Sequence, residues 1–320
     1  MAFGLKLPFG KRRPSPGASL GDAFFHWGTG ASAVILLTFL GLIVAVMIGV
    51  SRDTLGQYGF GFLGGTNWDP GHNVYGALPF IFGTLATSAI ALVLGVPISL
   101  GIAIFASEIA PPFIRTPLTY LVELLAAIPS VVYGLWGIYV LVPLMADTVE
   151  PWLKSNLGSL PLFQGPAYGY GLLTAGIILA IMIIPTVSAV TRESLLAVPQ
   201  SQREAALSLG ATRWETTRLA VLKYARSGFF GAVMLGFARA FGETMAVTMV
   251  IGNSNSIPSS LFAPAQTLAS LIANNAREAL GLELSAVLEI ALVLLALDLV
   301  INIFARIMIW RFLGARQGVA

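Results

Sequence analysis

Cysteine is absent from this 320-residue chain, histidine occurs twice, and charged residues make up only 10% of it. Without thiols there are no disulfides, no thiolate metal sites and no cysteine nucleophile. His26 and His72 both lie outside the long apolar runs and are too few for a histidine-rich metal centre. A soluble domain carries about 25% charged residues, so this chain has too little charge to cover a globular surface. A soluble enzyme is excluded. No G-x-x-x-x-G-K-[ST] phosphate loop occurs either, so the chain has no nucleotide-hydrolysing motif of that kind. What is present is apolar: 56% hydrophobic residues and a mean hydropathy of +0.83. That composition belongs to a membrane protein.

A membrane-crossing helix needs about 20 consecutive, mainly apolar residues. Six stretches qualify, at 30–50, 79–106, 117–145, 170–191, 227–251 and 284–309. The fold class expected is all-α, a polytopic protein of six transmembrane helices. Pro97, Pro129 and Pro185 fall inside these runs. Membrane helices accept proline when neighbours re-satisfy the freed carbonyls, so these residues read as interior kinks or as points that move.

The basic residues orient the spans. Lys6, Lys11, Arg12 and Arg13 precede the first span and Arg115 follows the second. Arg192, Arg203, Arg213, Arg218, Lys223 and Arg226 lie between the fourth and fifth, and Arg306, Arg311 and Arg316 close the chain. That places 14 of 18 on one side, against Arg52, Lys154 and Arg277 on the other and Arg239 within a span. Both termini are therefore expected in the cytoplasm. The division that follows is a cytoplasmic tail at 1–29, an uncleaved anchor helix at 30–50 and a periplasmic segment at 51–78. A five-helix core at 79–310 includes a cytoplasmic loop at 192–226, and a cytoplasmic tail occupies 311–320. No loop is long enough to bury a core of its own. Any energy source must enter through a partner.

The loop 192–226 carries two helix-start patterns. Ser201-Gln-Arg-Glu204 follows Pro199 with capping-box spacing, and Thr212-Arg-Trp-Glu215 repeats it. Gly210 between them suits the left-handed position that ends a helix. The expected form is a short helix of small apolar residues, a glycine turn and a second helix. Such a helix can serve as a close-approach surface for another protein or as a linker hugging the membrane.

Arg239 and Glu243 stand within the fifth span, four residues apart, and on a continuous helix would share a face. Each costs about 2.5–3.5 kcal/mol at mid-membrane, where an apolar residue gives back only ~0.3–0.6. Charges this costly face a bundle interior or a water-filled path. They read either as an ion pair locking two spans or as an anion path in which Arg239 attracts and Glu243 tempers. A guanidinium fork suits phosphate oxygens, and Thr244 and Thr248 add hydroxyls nearby. Other polar residues in the spans include Thr84, Thr87, Ser88, Glu123, Glu289, Asp298 and Asn302.

Glu204-Ala205-Ala206-x-x-x-Gly210 resembles the EAA motif of permease subunits in ABC importers. Beyond Gly210 the family pattern continues, after nine residues, with Ile/Leu-x-x-Pro, where this chain has Ala220 and Lys223. Three further segments are similar to permeases of the phosphate-specific ABC importers: Tyr75-GALPFIFGTLATS88, Glu123-LLAAIPSVVYGLWG137 and Arg239-AFGETMAVTMVIGN253. The resemblance implies a type I importer permease fold, a bacterial inner-membrane location and inorganic phosphate as substrate. It implies that the ATPase docks on the loop at Glu204, Ala205, Ala206 and Gly210. The partners implied are a PstA-like second permease subunit forming a heterodimer, two copies of a cytoplasmic ATPase subunit and a periplasmic phosphate-binding protein, in contact with membrane lipid and not with nucleic acid. ATP and magnesium would be used by the ATPase subunits; this chain would hold no cofactor, no metal and no catalytic residue. Permeases for molybdate or sulfate, and a stand-alone channel or ion-coupled carrier, are the alternatives.

Overall fold

The structure, a computed structural model, describes residues 20–312. The sequence-assigned tail residues 1–19, with Lys6, Lys11, Arg12 and Arg13, lie outside the described residues, as do 313–320 with Arg316. The chain divides into two units, residues 1–49 and 50–320. The first contains all but the last residue of helix α1 (Leu20–Val50), which begins ahead of its apolar run. Its few hydroxyls bond back along the helix: Thr29 to the Phe25 carbonyl at 2.8 Å, Ser32 to Gly28 at 2.9 Å and Thr38 to Val34 at 2.8 Å. An apolar surrounding requires such local satisfaction.

The second unit is all helix and connection, with no strand among the described residues. Short helices α2 (Arg52–Tyr58) and α3 (Gly61–Gly64) precede α4 (Leu78–Ile104), which runs on through a π-helical turn at Phe105–Ile109. After α5 (Pro112–Ala127), an unbroken helical run combines α6 (Ser130–Trp136), α7 (Val142–Leu144) and α8 (Glu150–Leu157), linked by two π-helical turns. Then come α9 (Leu172–Leu196), α10 (Gln200–Ser208), α11 (Arg213–Thr216), α12 (Leu222–Phe241), α13 (Met245–Val250), α14 (Leu268–Asn275) and α15 (Leu282–Phe312).

Among the described residues, five helices are long and apolar enough to cross a membrane: Phe24–Val50, Leu78–Ile109, Ser130–Leu157, Leu172–Leu196 and Leu282–Met308. Four of the expected six spans correspond directly, and two are revised. The third, expected at 117–145, is cut at Ile128–Pro129, where both residues are extended. The residue before a proline is pushed out of the helical region and proline itself offers no N–H. The helix therefore stops at Ala127 and restarts at Ser130, and the crossing shifts to 130–157. Tyr133 donates its hydroxyl to the Leu125 carbonyl at 2.9 Å, taking up one of the carbonyls left at the break. The fifth span, 227–251, is also broken, at Gly242–Thr244 between α12 and α13.

Helix α9 is the centre of this unit. Two-thirds of its most apolar stretch is buried, against about a third of the corresponding stretches of α4 and α15. Ile178, Leu179, Met182, Ile183 and Val187 of α9 join Val247, Val250, Ile251 and Phe262 in the main core. Bare glycine backbone permits its close packing with α4. A Cβ on Gly95 would lie 2.9 Å from Ile183 Cγ1, and one on Gly176 would lie 2.6 Å from Ile90 Cβ. Without a large hydrophobic driving force between membrane helices, such small-residue contacts supply the attraction. A second core, with Phe62, Trp68, Tyr75, Phe80, Leu271 and Ile290, holds the loops at the end of the unit opposite α10. Trp68 stands edge-on to Tyr75 and Phe80, with ring centres 5.0 and 5.3 Å away.

Candidate functional site

Helix α12 ends at Phe241 because Gly242 resists the helix and no following residue continues it. Glu243 lies in the break and accepts a bond from the Ala246 N–H at 3.3 Å, capping the start of α13. Thr244 bonds to the Gly242 carbonyl at 3.3 Å, and Thr248 donates to the Thr244 carbonyl at 2.7 Å. The shared helix face expected for Arg239 and Glu243 therefore does not exist. No Arg239–Glu243 ion pair forms among the described residues, whose ion pairs are His72–Asp69, Arg192–Glu193 and Arg203–Glu108.

Arg239 occupies the last turn of α12, where a cation complements the helix dipole. Its Nη1 donates to Thr186 Oγ1 of α9 at 3.0 Å, and the residue is half-buried. Glu243, four residues on, serves a helix cap, and among the described residues no carboxylate lies within 4.0 Å of the guanidinium. That leaves it competent to bind an oxyanion. Thr186, 53 residues away in sequence, was not singled out by the sequence; its hydroxyl amid an apolar span was the available signal.

The other intramembrane polar residues separate by role. Thr84 donates to the Phe80 carbonyl at 2.7 Å and accepts from the Leu268 N–H at 2.9 Å, fastening α14 to α4. Thr87 bonds to the Gly83 carbonyl at 2.8 Å. Asn302 returns to the Asp298 carbonyl at 2.9 Å. Glu123 borders a mostly apolar cavity of about 310 Å³ between α4, α5 and α9, together with Arg192 and Glu193. Glu289 is buried, and so is Glu150, which accepts from the Gly169 N–H at 3.0 Å. Glu150 lies beyond the third span expected at 117–145 and inside the observed one, Ser130–Leu157.

The connection between α9 and α12 takes the expected helix–turn–helix form with one change. Helix α10 starts at Gln200 with Pro199 as its N-cap and no side-chain cap bond. Ser201 is already inside the first turn, so the first capping box does not form. Gly210 has φ +85°, the left-handed geometry that ends α10, and its N–H bonds to the Leu207 carbonyl at 2.9 Å. The second box is complete. Thr212 N–H donates to Glu215 Oε2 at 2.8 Å, and Glu215 N–H donates to Thr212 Oγ1 at 3.3 Å. The Thr212 backbone and hydroxyl donors hold the Glu215 carboxyl below the usual carboxylate range. From Arg213 the helix runs without a break into α12. Glu204, Ala205, Leu207 and Leu209 are exposed, while Arg203 and Ala206 turn inward. The exposed face mixes Gln202, Glu204 and Ser208 with Ala205, Leu207 and Leu209, the apolar members being those that a helix-in-groove contact would bury.

Residues 95–313 match the family described as binding-protein-dependent transport system inner membrane component. The chain belongs to this family. It is a multi-pass inner-membrane permease component, and the matched residues run from within α4 to the end of α15. Among its relatives is the phosphate transport system permease protein PstC of Mesorhizobium japonicum, 45% identical over 94% of this chain and 93% of that one. PstC of Haemophilus influenzae is 44% identical over 90% and 93%. The fold is that of a bacterial alginate ABC transporter chain, at a TM-score of 0.61 and 17% identity, covering 92% of this chain and 98% of that one. A chain of the MetNI methionine ABC transporter matches at a TM-score of 0.54 and 17% identity, over 72% and 93%.

Proposed function

We propose that this chain is the membrane-spanning subunit of an ATP-driven importer of inorganic phosphate. The observation that carries the reading is its likeness to phosphate permeases over nearly its whole length. The half-buried Arg239 guanidinium, without a carboxylate partner within 4.0 Å among the described residues, supports it. The partners are a PstA-like permease subunit, two ATPase subunits docking on Glu204, Ala205, Ala206 and Gly210, and a periplasmic phosphate-binding protein. The excess of basic residues puts both termini and α10 in the cytoplasm, with 30–50 as anchor.

Transport proceeds by alternating access. Closure of the ATPase subunits displaces α10, and the displacement reaches α9 and α12, which flank it in the chain. Phosphate delivered from outside passes the α12–α13 break. There Arg239 offers charge-assisted bonds and Thr186 a hydroxyl, and the Thr244 and Thr248 hydroxyls join them by turning away from the Gly242 and Thr244 carbonyls. One cation attracts a dianion without trapping it, since full neutralisation would need further positive groups. Glu243 shapes the break by capping α13 rather than by pairing with Arg239.

Arg239→Gln tests the reading in proteoliposomes holding the full complex. Radiolabelled phosphate uptake should fall by about a hundredfold or more, with recovery of the ATPase subunits unchanged. Full uptake by this variant removes Arg239 from the path. Excess sulfate or molybdate should leave phosphate uptake by the unaltered complex intact; uptake of sulfate or molybdate in place of phosphate assigns a different oxyanion.

A further inference from the structure

Arg203 lies on α10, one residue before the exposed Glu204, yet it faces the opposite way. Its Nη2 donates to Glu108 Oε1 at 2.9 Å and its Nε to Glu108 Oε2 at 3.4 Å, a two-pronged pair spanning 95 residues of sequence. The same Nη2 reaches the Leu195 carbonyl at 2.9 Å, and Nη1 bonds to the Val198 carbonyl. Leu195 and Val198 bracket the C-terminal end of α9, whose last carbonyls lack partners within the helix. Glu108 belongs to the π-helical turn that ends the α4 run. One side chain thus ties α10 to both helices of the central seam.

The pair is sheltered. The side chains of Arg203 and Glu108 are 16% and 13% exposed, whereas each of the other two ion pairs among the described residues has a partner more than half exposed. Ala103, Ile104, Leu195, Val198, Val221 and Ala225 form an apolar cluster drawn from the same segments and from the start of α12. Arg115 adds a second brace, donating from Nη2 to the Ser107 and Ala110 carbonyls at 3.1 and 3.3 Å. A lysine keeps the charge but loses the planar fork that meets the carboxylate in two prongs while reaching two carbonyls.

We propose that Arg203 and Glu108 form the clamp that carries displacement of α10 into α4 as well as α9, so that the seam moves as one body. Arg203 is a positioning residue, acting through Glu108 and the α9 carbonyls. This rests on the reading of α10 as the ATPase-docking helix.

The test compares the complete complex with its Glu108→Gln, Arg203→Gln and Arg203→Lys variants in proteoliposomes. Phosphate taken up per ATP hydrolysed should fall about fivefold or more in both Gln variants, with Lys intermediate and ATPase recovery unchanged. A purely structural brace would lower recovery and leave the ratio of the assembled complex alone. A ratio within about twofold of the unaltered complex in both Gln variants overturns the clamp. If Arg203→Gln does not assemble, Glu108→Gln, which removes charge while keeping shape, decides alone. A second readout does not depend on phosphate. The chain lacks cysteine, so spin labels on Ile109→Cys and Ser208→Cys, both exposed positions, report the distance between α4 and α10. The distribution should stay narrow with and without ATP in the unaltered complex and broaden in both Gln variants. Equal widths overturn the clamp. An unaltered complex that hydrolyses ATP without moving phosphate instead refutes the functional reading, while the label distances still decide the clamp.

Discussion

Two helical runs of this permease contradict the usual association of proline with helix breaks. Helices α4 and α9 each contain an internal proline, Pro97 and Pro185, and each stays continuous. The α12–α13 segment contains no proline and breaks at Gly242. The difference lies in what satisfies the backbone. Pro97 and Pro185 each free a single carbonyl, of Val93 and Ile181, while hydroxyls brace the neighbouring turns: Ser99 bonds to the Gly95 carbonyl at 2.7 Å and to the Ile184 carbonyl of the facing helix at 3.3 Å, and Ser188 bonds to the Pro185 carbonyl at 3.2 Å. At Gly242 the helix gives up its register, and Glu243 and Thr244 supply the next bonds. A break in a membrane helix requires surroundings that hold polar backbone, which supports the polar path proposed at the α12–α13 junction, whereas the α4–α9 seam is packed.

Overfilling the seam should have the larger effect. In Gly176→Val the new Cβ would stand 2.6 Å from Ile90 Cβ, an atom near the backbone that cannot swing aside. Overpacking of this kind costs about 1–3 kcal/mol. Thermal denaturation of the purified complex in detergent should shift down by several degrees, and an unchanged midpoint would mean that the seam has room.

Gly242→Ala addresses the break without crowding it, since the nearest atom to an added Cβ is the Ala238 carbonyl oxygen at 3.7 Å. Alanine favours helix over glycine by about 0.5–1 kcal/mol, enough to shift a bent–straight balance by about two- to fivefold. Phosphate uptake should fall by that factor while the thermal midpoint holds or rises. Pro185→Ala, the complementary change on α9, should alter uptake by less than about twofold, because the helix is continuous already. A larger loss would make Pro185 a moving point rather than an interior kink.

The sequence made the apolar mass and most helix positions legible, because hydropathy and length decide them. The residues that break helices were misjudged for a physical reason. A hydropathy window averages side chains and is blind to a missing N–H at Pro129 or to the flexibility of Gly242. Local chemistry at Gly210 and in the Thr212–Glu215 box was readable, since every partner lies within a few residues. The Ser201–Glu204 box has the same spacing and failed because Pro199 starts the helix earlier. The Arg239–Thr186 and Arg203–Glu108 contacts were not legible, as each depends on which helices the fold brings together. The paired charges at 239 and 243 misled because spacing implies a shared face only on an unbroken helix.

The smallest effect belongs to the Thr212–Glu215 box, where local pattern and structure agree. Its Glu215 carboxyl is held low by the Thr212 donors, so the folded state binds this proton less readily than the unfolded chain. The box therefore contributes its stabilisation above the ordinary carboxylate range and loses it as pH falls through the lowered folded value. Denaturation of the unaltered complex should be more acid-sensitive on that limb than denaturation of Glu215→Gln, which carries no titrating group there. At neutral pH the two midpoints should lie close, because the carboxylate is exposed and water competes for it. Identical acid limbs would mean that the box forms equally in the unfolded chain. A large neutral-pH difference would move Glu215 from a helix cap to a contact with the ATPase partner, beside the exposed Trp214 and Leu209.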